Sequence, residues 1–271
     1  MRALRRRAAT TLLNRTLRRC APLPSEVIAR PAIVLAPHPD DEVLGCGGLI
    51  ARKRAVGASV TVVFMTDGAA SHDRFEDRTE LAAQRRREAL SACATLGVPP
   101  DEVHFLDVSD GQLAGSVREA AAALDAILGR ARHRQLVLPH PAEPPADHEA
   151  TFRVAAEWTA GDERRVDLLL YPVWLWDQWP FTNPFSEPGR GSRRAIVRTM
   201  LAHRAGTGLG RLFDHRLDIS EQLPLKRAAL AEHASQTVRT PGEPDRPTLA
   251  DVADGEWLEL LLQPVELYEL R

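Results

Sequence analysis

The chain has 271 residues, of which 44% are hydrophobic and 27% are charged, a balance that favours a folded domain with a sizeable core over a disordered chain. The formal net charge of −2 provides no general attraction to nucleic acid or to an anionic membrane, and no stretch approaches the roughly 20 apolar residues that span a bilayer. The three cysteines, Cys20, Cys46 and Cys93, are odd in number and lack CxxC spacing. They therefore argue against a disulfide framework and favour a reducing, cytoplasmic location.

The first 25 residues differ from the rest of the chain in charge. Seven arginines and no acidic residue lie between Met1 and Arg19. We expect a basic N-terminal arm over residues 1–25, formed by a solvated helix that precedes a single domain over residues 26–271. A transit peptide and weak attraction to an anionic membrane surface are the alternative interpretations of this arm.

From residue 32 onward, short apolar runs rich in β-branched residues alternate with helical patterns. The predicted strands cover 32–37, 59–66, 103–107, 135–139 and 167–174, and the predicted helices cover about 43–56, 77–96, 116–132 and 148–160. This alternation is typical of right-handed βαβ units, so we predict an α/β fold with a mostly parallel sheet flanked by helices. A C-terminal extension follows, with a strand over 211–219 and a helix over 221–234.

A histidine and two adjacent aspartates follow the first predicted strand. Pro37 and Pro39 end that strand, so His38, Asp40 and Asp41 are expected at its carboxyl end, where open α/β sheets bind ligands. Neighbouring carboxylates repel each other unless a cation or a shared proton compensates them, and a nearby imidazole favours a divalent metal. Capping of the next helix would explain only one of the two carboxylates.

A second group of polar residues follows the strand predicted over 135–139. It contains His140, Asp147 and His148, and His148 would open a helix at the same sheet edge as His38. Two histidines and an aspartate from separate strand ends would make a three-ligand site with an open fourth position, as catalytic zinc requires. Asp147 would either orient the metal ligands or cap the helix.

Aromatic residues and prolines alternate after the strand predicted over 167–174. Trp174, Trp176 and Trp179 belong to this segment, which would start at the edge that carries His38. Packing in the core is the ordinary explanation of such residues. The alternative is that flat aromatic faces contact a sugar ring, and we name Trp176 and Trp179 as candidate substrate contacts.

With both polar groups in view, the chain resembles the PIG-L/LmbE-like family of zinc-dependent N-deacetylases over most of residues 30–270. Residues 36–42 read Ala-Pro-His-Pro-Asp-Asp-Glu, very close to the family signature, and Asp147-His148 stands at the end of the fourth strand. Weaker similarities lie in Thr66-Asp67-Gly68, in Arg85 with Glu88, in Asp110-Gly111-Gln112-Leu113 and in Lys226 to Gln236.

The resemblance implies a Rossmann-like sheet and a Zn²⁺ ion held by His38, Asp41 and His148. It also implies that Asp40 acts as general base on an N-acetylglucosamine-type glycoconjugate, a small-molecule substrate, and we expect Arg85 among the substrate-binding residues. It implies neither a nucleic-acid partner nor insertion into a membrane, and the sequence does not indicate an oligomeric state.

The chain departs from the family at one position. The family often carries a histidine three residues before the ligand histidine, where it helps to stabilise the developing oxyanion, and this chain has Pro145 there. Either zinc alone polarises the carbonyl, or His140, His233 or another side chain replaces the missing group. We favour His233 as the catalytic acid, because it lies in the segment 226–236 that resembles the family.

Two other functions are compatible with these residues. One is a metal-dependent amidase or esterase acting on a non-sugar metabolite. The other is an inactive metal-binding or sugar-binding module, for which Pro145 is the only support. Gly45, Gly47 and Gly48 lack GxGxxG spacing, so we expect no nucleotide cofactor. Close packing of a helix on a strand explains these glycines as well as the approach of the backbone to a phosphate does.

Overall fold

The computed structural model describes residues 2–70, 77–129, 135–160, 166–182, 208–239 and 246–271. In these ranges the strands are β1 (Ala21–Pro22), β2 (Ala32–Ala36), β3 (Val60–Thr66), β4 (Val103–Val108), β5 (Gln135–Pro139), β6 (Asp167–Tyr171), β7 (His215–Asp218) and β8 (Val265–Leu270). The helices are α1 (Arg2–Arg19), α2 (Ser25–Ala29), α3 (Asp41–Ala55), α4 (Arg78–Thr95), α5 (Val117–Leu128), α6 (Ala146–Thr159), α7 (Leu209–Leu212), α8 (Leu223–Glu232), α9 (Ala234–Thr237) and α10 (Glu256–Leu261).

These strands form one sheet in the order β1-β7-β8-β6-β5-β2-β3-β4. The five strands from β6 to β4 are parallel to one another. Strand β2 is buried at every position, because its unbroken apolar run is covered on both faces. Val34 packs in the core on one face, and Ile33 and Leu35 pack in the core on the other. The predicted α/β fold with a mostly parallel sheet is therefore confirmed.

The elements of this parallel part lie close to their predicted positions. Strand β6 ends at Tyr171 instead of residue 174, because the chain turns there into a short 3-10 helix over Trp174–Trp176. Helix α6 begins at Ala146 instead of residue 148. Helix α5 ends at Leu128, and the last residues of its predicted span, 130–132, lie outside the described residues.

The C-terminal extension completes the sheet in a way that the sequence analysis did not predict. Strand β8 enters between β6 and β7 and is antiparallel to both. Glu266 and Glu269 interrupt its apolar run, which hides the strand pattern. The strand predicted over 211–219 is shorter than expected, because helix α7 occupies its first two residues.

The basic N-terminal segment forms helix α1 and packs on the domain. Arg5 makes an ion pair with Glu256 in α10, and it donates to the backbone carbonyls of Pro180 and Phe181 at 3.1 Å each. Thr16 is 2% exposed. The expected solvated helix is therefore anchored at its first turn, although Arg6, Arg7 and Arg19 remain at the surface.

Helix α3 carries a kink at Cys46, whose φ and ψ of −144° and 18° are not helical. Two buried charges satisfy the backbone groups beside this kink. Glu266 accepts from Gly48 N and Leu49 N at 2.8 and 2.9 Å, and Lys226 donates to the carbonyl of Leu44 at 3.0 Å. Lys226 and Glu266 also pair with each other at 2.8 Å, so strand β8 and helix α8 hold the kinked helix in place.

The glycines of α3 serve close packing. A Cβ atom on Gly45 would lie 2.1 Å from the ring of Tyr171, and one on Gly48 would lie 2.5 Å from Ile219. Both distances are far below van der Waals contact, so the helix reaches the sheet only because these side chains are absent. This finding supports the packing explanation of the glycine-rich segment.

The three cysteines, Cys20, Cys46 and Cys93, are buried as free thiols. In the described part of the chain, no helix combines the length and the apolar character that crossing a membrane requires.

Candidate metal centre and active site

The turn after β2 places the first group of candidate residues. Asp40 has a φ of 152°, a conformation that costs a side-chain-bearing residue of order 1–3 kcal/mol and is typical of functional sites. Its backbone N–H donates to Glu42 Oε2 at 3.0 Å. On the other side of the turn, His38 N donates to Asp41 Oδ2 at 3.0 Å. The side chains of Glu42 and Asp41 therefore hold the strained backbone of this turn.

His38, Asp41 and His148 come together as the sequence analysis predicts. Asp41 Oδ2 lies 3.1 Å from His38 Nδ1 and 3.2 Å from His148 Nε2, and one ligand atom from each residue lies within 4.8 Å of the others. They meet because β2 and β5 are adjacent parallel strands, whose carboxyl ends share one sheet edge. His148 lies in the first turn of α6.

The chemistry of these residues fits a metal ion. His148 is completely buried, and neither of its ring nitrogens has a hydrogen-bond partner with adequate geometry, although carboxylate oxygens lie 3.2 and 3.3 Å away. A cation between His148 and Asp41 would satisfy a buried polar atom that is costly to leave unpaired. Two imidazole nitrogens and one carboxylate oxygen are the ligands of many catalytic zinc sites.

The second nitrogen of His38 faces two further carboxylates. Its Nε2 lies 3.3 Å from Asp110 Oδ1 and 3.4 Å from Asp147 Oδ2. Asp147 also accepts from Gly111 N at 2.7 Å and from Leu113 N at 3.3 Å, so it ties the loop after β4 to helix α6. Of the two roles considered for Asp147, the contact with His38 supports orientation of a metal ligand. No side-chain cap is present at the start of α6.

Glu143 is a functional candidate that the sequence analysis missed. Its side chain is completely buried, and Oε2 lies 3.3 Å from His148 Nδ1. The same carboxylate accepts from the backbone N–H groups of Val173, Trp174 and Leu175 at 2.9, 2.7 and 3.0 Å. Glu143 therefore fixes the turn after β6 and faces a candidate ligand histidine. The sequence signal that could have identified Glu143 is its position five residues before His148.

The carboxylates around the site set the ionisation of the candidate ligands. Burial opposes charge on His148, but Asp41 and Glu143 raise its pKa to about 9. For Asp41 the effect of burial is outweighed by His148 and His38, which hold its pKa well below the ordinary value. Asp40 differs from Asp41, because burial and the neighbouring Asp41 charge raise its pKa to about 7. Two adjacent aspartates thus have opposite shifts, which suits one as a ligand and the other as a base.

A cavity of about 530 Å³ opens beside these residues. Its lining includes His38, Asp40, Asp41, Arg85, Asp110, Asp147, Trp174 and Gln236. Arg85 is 3% exposed and donates to the carbonyl of Gly68. The cavity exceeds the volume of one sugar ring and lies within the range of small-molecule sites.

The tryptophans after β6 occupy different positions. Trp174 lines the cavity and stacks on Trp257 with ring centroids 4.6 Å apart. Trp176 is 3% exposed, lies away from the cavity and packs edge-to-face on Phe181. Trp179 is partly exposed and does not line the cavity. Phe185, which belongs to the same aromatic segment, lies outside the described residues.

Neither histidine considered as a substitute at Pro145 lies on the cavity wall. His233 is completely buried, and its Nε2 lies 2.8 Å from Glu42 Oε1. His140 lies 2.9 Å from Glu269 and packs against Phe213. Pro145 itself lines the cavity. This geometry does not support direct proton transfer from His233 to a substrate, and it places His233 behind Glu42 and the backbone of Asp40.

Removing one ligand should empty the metal centre. We expect His38→Ala and His148→Ala each to lower bound zinc from about one ion per chain to a small fraction, because two remaining donors hold zinc poorly. Elemental analysis after dialysis measures this, with His215→Ala as a control, since His215 lies outside the cavity lining. Full zinc content in either ligand variant would remove that residue from the metal centre.

Zinc uptake by the metal-free protein should release protons. His148, with its pKa near 9, is protonated at pH 7 when no metal is bound, and the pKa of His38 is also raised well above its ordinary value. A metal binds only the neutral rings, so zinc affinity should rise with pH up to about 9. Calorimetry in two buffers of different ionisation enthalpy should give different apparent enthalpies at pH 7. Identical values would contradict this assignment.

Comparison with known proteins agrees with the geometry. The family model PIG-L, described as GlcNAc-PI de-N-acetylase, matches residues 33–159. A 1D-myo-inositol 2-acetamido-2-deoxy-alpha-D-glucopyranoside deacetylase from Mycobacterium sp. (strain JLS) is 30% identical over 250 residues, which cover 80% of this chain and 77% of the relative. A diacetylchitobiose deacetylase from Thermococcus kodakarensis is 30% identical over 117 residues, so the chain matches only 43% of that relative's length.

A solved structure has the same fold. The N,N'-diacetylchitobiose deacetylase from Pyrococcus horikoshii superposes with a TM-score of 0.60 at 22% identity, covering 96% of this chain and 91% of the other. The sequence relative from Mycobacterium extends over most of both chains, and the family match includes the turn after β2 and the start of α6. The chain therefore belongs to the PIG-L family.

Proposed function

We propose that the protein is a zinc-dependent N-deacetylase that hydrolyses the acetamide of a small N-acetylglucosamine-type glycoconjugate to acetate and a free amine. The observation that carries the proposal is a group of three side chains that could hold a metal ion, with a separate carboxylate, Asp40, on the wall of the same cavity. The names of the relatives, which are deacetylases of acetylated glucosamine sugars, support the substrate class.

Asp40 is the proposed general base and acid. Zn²⁺ bound by His38, Asp41 and His148 would polarise the acetamide carbonyl and lower the pKa of water to about 7. Asp40 lies outside this set of ligands, and its raised pKa near 7 allows it to accept a proton from water at neutral pH. The same group, once protonated, can return that proton to the leaving amine.

His233 and Glu42 support Asp40 from behind. Glu42 accepts from the backbone N–H of Asp40 through one oxygen and contacts His233 Nε2 through the other. All contacts of this group are buried. We therefore assign His233 a positioning role through Glu42, in place of the acid role that the sequence analysis favoured.

Arg85 and Trp174 are the proposed substrate contacts. Arg85 is a buried cation on the cavity wall, and the charges of Asp40 and Asp110 face it. Guanidinium N–H groups are donors of the kind that sugar hydroxyl oxygens accept. Trp174 is the aromatic side chain of the loop after β6 that we propose contacts the sugar, because it lines the cavity. Trp176 and Trp179 remain predictions as substrate contacts, and neither lines the cavity. The buried free thiols favour a reducing, cytoplasmic location.

Acetate release tests the proposal. Zinc-reconstituted protein is incubated with N-acetylglucosaminides, with N-acetyl amino acids and with acetate esters, and acetate and primary amine are quantified. We expect equal amounts of acetate and amine from the sugars and the highest kcat/KM for them. Faster cleavage of a non-sugar amide or ester would establish an amidase or esterase. No cleavage of any compound at full zinc content would indicate a binding module.

A further inference from the structure

The lining of the cavity beside the candidate metal centre combines charged and apolar side chains. The charged side is formed by the metal centre with Asp40, Arg85 and Asp110. The apolar lining residues, which we call the apolar side, come from four separate segments and are Leu44, Pro145, Trp174, Pro247, Leu249 and Val252. A single N-acetyl sugar would satisfy the charged side but would leave most of this apolar surface in water, at a cost of about 25 cal/mol per Å².

Trp174 is a rigid part of the apolar side. Its backbone N–H donates to the buried Glu143 at 2.7 Å, and its ring stacks at 22° on Trp257, which is completely buried. The side chain is therefore fixed before any ligand arrives. A rigid aromatic wall favours binding because little conformational entropy is lost when a ligand contacts it.

Leu249 and Val252 belong to a separate segment of the chain, and local structure holds them in place. Thr248 and Asp251 form a reciprocal capping box that starts the 3-10 helix over Leu249–Gly255. Both apolar side chains are partly exposed, although Ala253 beside them is completely buried. Their exposure therefore results from their position on the cavity wall and not from a loose segment.

The charges on the wall exclude one class of ligand. Arg85 is the only basic side chain that the described residues contribute to the lining apart from His38, and it already faces the carboxylates of Asp40 and Asp110. Among the described lining residues, four aspartates, Asp40, Asp41, Asp110 and Asp147, would face a phosphate attached to the sugar. The group that follows the sugar should therefore carry no negative charge.

We propose that the substrate is an N-acetylglucosaminide whose aglycone is an uncharged apolar group, aromatic or alkyl, seated against Trp174, Leu249 and Val252. This inference rests on the proposed deacetylase function and narrows it. The acetamide lies at the metal centre, and the glycosidic substituent lies on the apolar side of the same cavity.

Binding without turnover tests the inference. The zinc-loaded Asp40→Asn variant is titrated calorimetrically with the phenyl and the methyl glycoside of N-acetylglucosamine, both of the same anomeric configuration, and with N-acetylglucosamine 1-phosphate. We expect the phenyl glycoside to bind about tenfold more tightly than the methyl glycoside, because the ring buries additional apolar area. The 1-phosphate should bind more weakly than the methyl glycoside.

Wall variants in the same background locate the effect. Val252→Thr keeps the side-chain shape and replaces one methyl group with a hydroxyl group, and Leu249→Gln makes a larger change. Each should reduce the ratio of the two dissociation constants at least about threefold, without changing zinc content. Leu225→Gln is the matched control, because Leu225 is 41% exposed in helix α8 and does not line the cavity. It should leave the ratio unchanged, and thermal unfolding confirms that all variants are folded.

The outcomes separate this inference from the proposed function. Equal binding of the phenyl and methyl glycosides, with wild-type acetate release from both at the same kcat/KM, would overturn the inference and leave the deacetylase function intact. A phenyl preference that survives both wall variants would also overturn it, because the apolar group would then lie elsewhere. Binding of neither glycoside, with no acetate released by the wild type, would contradict both proposals.

Discussion

Asp40→Asn should retain its zinc and lose about 10²–10⁴-fold in kcat, because the substitution removes the proposed base and leaves the metal ligands in place. The strained backbone at Asp40 should be preserved, since asparagine adopts positive φ more readily than most residues. Steady-state acetate release gives kcat, and elemental analysis of the same sample gives the zinc content.

Asp41→Asn is the matched comparison one residue away. Asp41 lies within 3.2 Å of both ligand histidines, so its loss should lower the zinc content and the activity together. A zinc-free Asp40→Asn protein alongside a zinc-loaded Asp41→Asn protein would show that the two carboxylates have the opposite roles.

Glu266→Ala should destabilise the fold by about 3–5 kcal/mol, because it leaves the Lys226 charge buried without a counter-ion. Lys226 is completely buried and its ammonium lies 2.8 Å from Glu266. The substitution also removes the acceptor of Gly48 N and Leu49 N at the kink of helix α3. Urea unfolding measures the free energy of unfolding from the midpoint and the slope.

Glu269→Ala on the same strand is the control. Glu269 is partly exposed and pairs with the exposed Arg271, and pairs of this kind contribute about 1 kcal/mol or less. It also lies 2.9 Å from the buried His140. If Glu266→Ala costs no more than Glu269→Ala, the kinked helix does not depend on the buried pair. A second variant, Glu266→Gln, keeps the shape of the side chain and isolates the loss of charge.

The sequence was sufficient to predict which candidate site residues lie close together where local patterns encode their positions. Pro37 and Pro39 end a buried strand, so the positions of His38, Asp40 and Asp41 at its carboxyl end follow from the chain itself. Their meeting with His148 follows from the parallel order of neighbouring strands. These inferences require only strand direction and the edge at which parallel strands bind ligands.

The parts that were missed depend on contacts between distant segments. Glu143 becomes important only because the turn after β6 presents three N–H groups to it. In the same turn, the choice between Trp174 and Trp176 as the cavity residue has no periodic signal, since a single 3-10 turn is too short to define a face. From sequence alone, Glu266 would be expected at the surface. Its buried role becomes visible only when strand β8 is seen to pack against helix α3.

At Asp40, the backbone conformation lowers the stability of the fold, whereas the side chain is needed for the proposed activity. A glycine there would relax the turn and recover of order 1–3 kcal/mol, yet it would delete the carboxylate beside the metal centre. Engineering for heat resistance alone would therefore favour an inactive protein at this position. The surrounding contacts of Glu42 and His38 show how the fold tolerates the strain, and any stabilised variant of this enzyme has to gain its stability elsewhere.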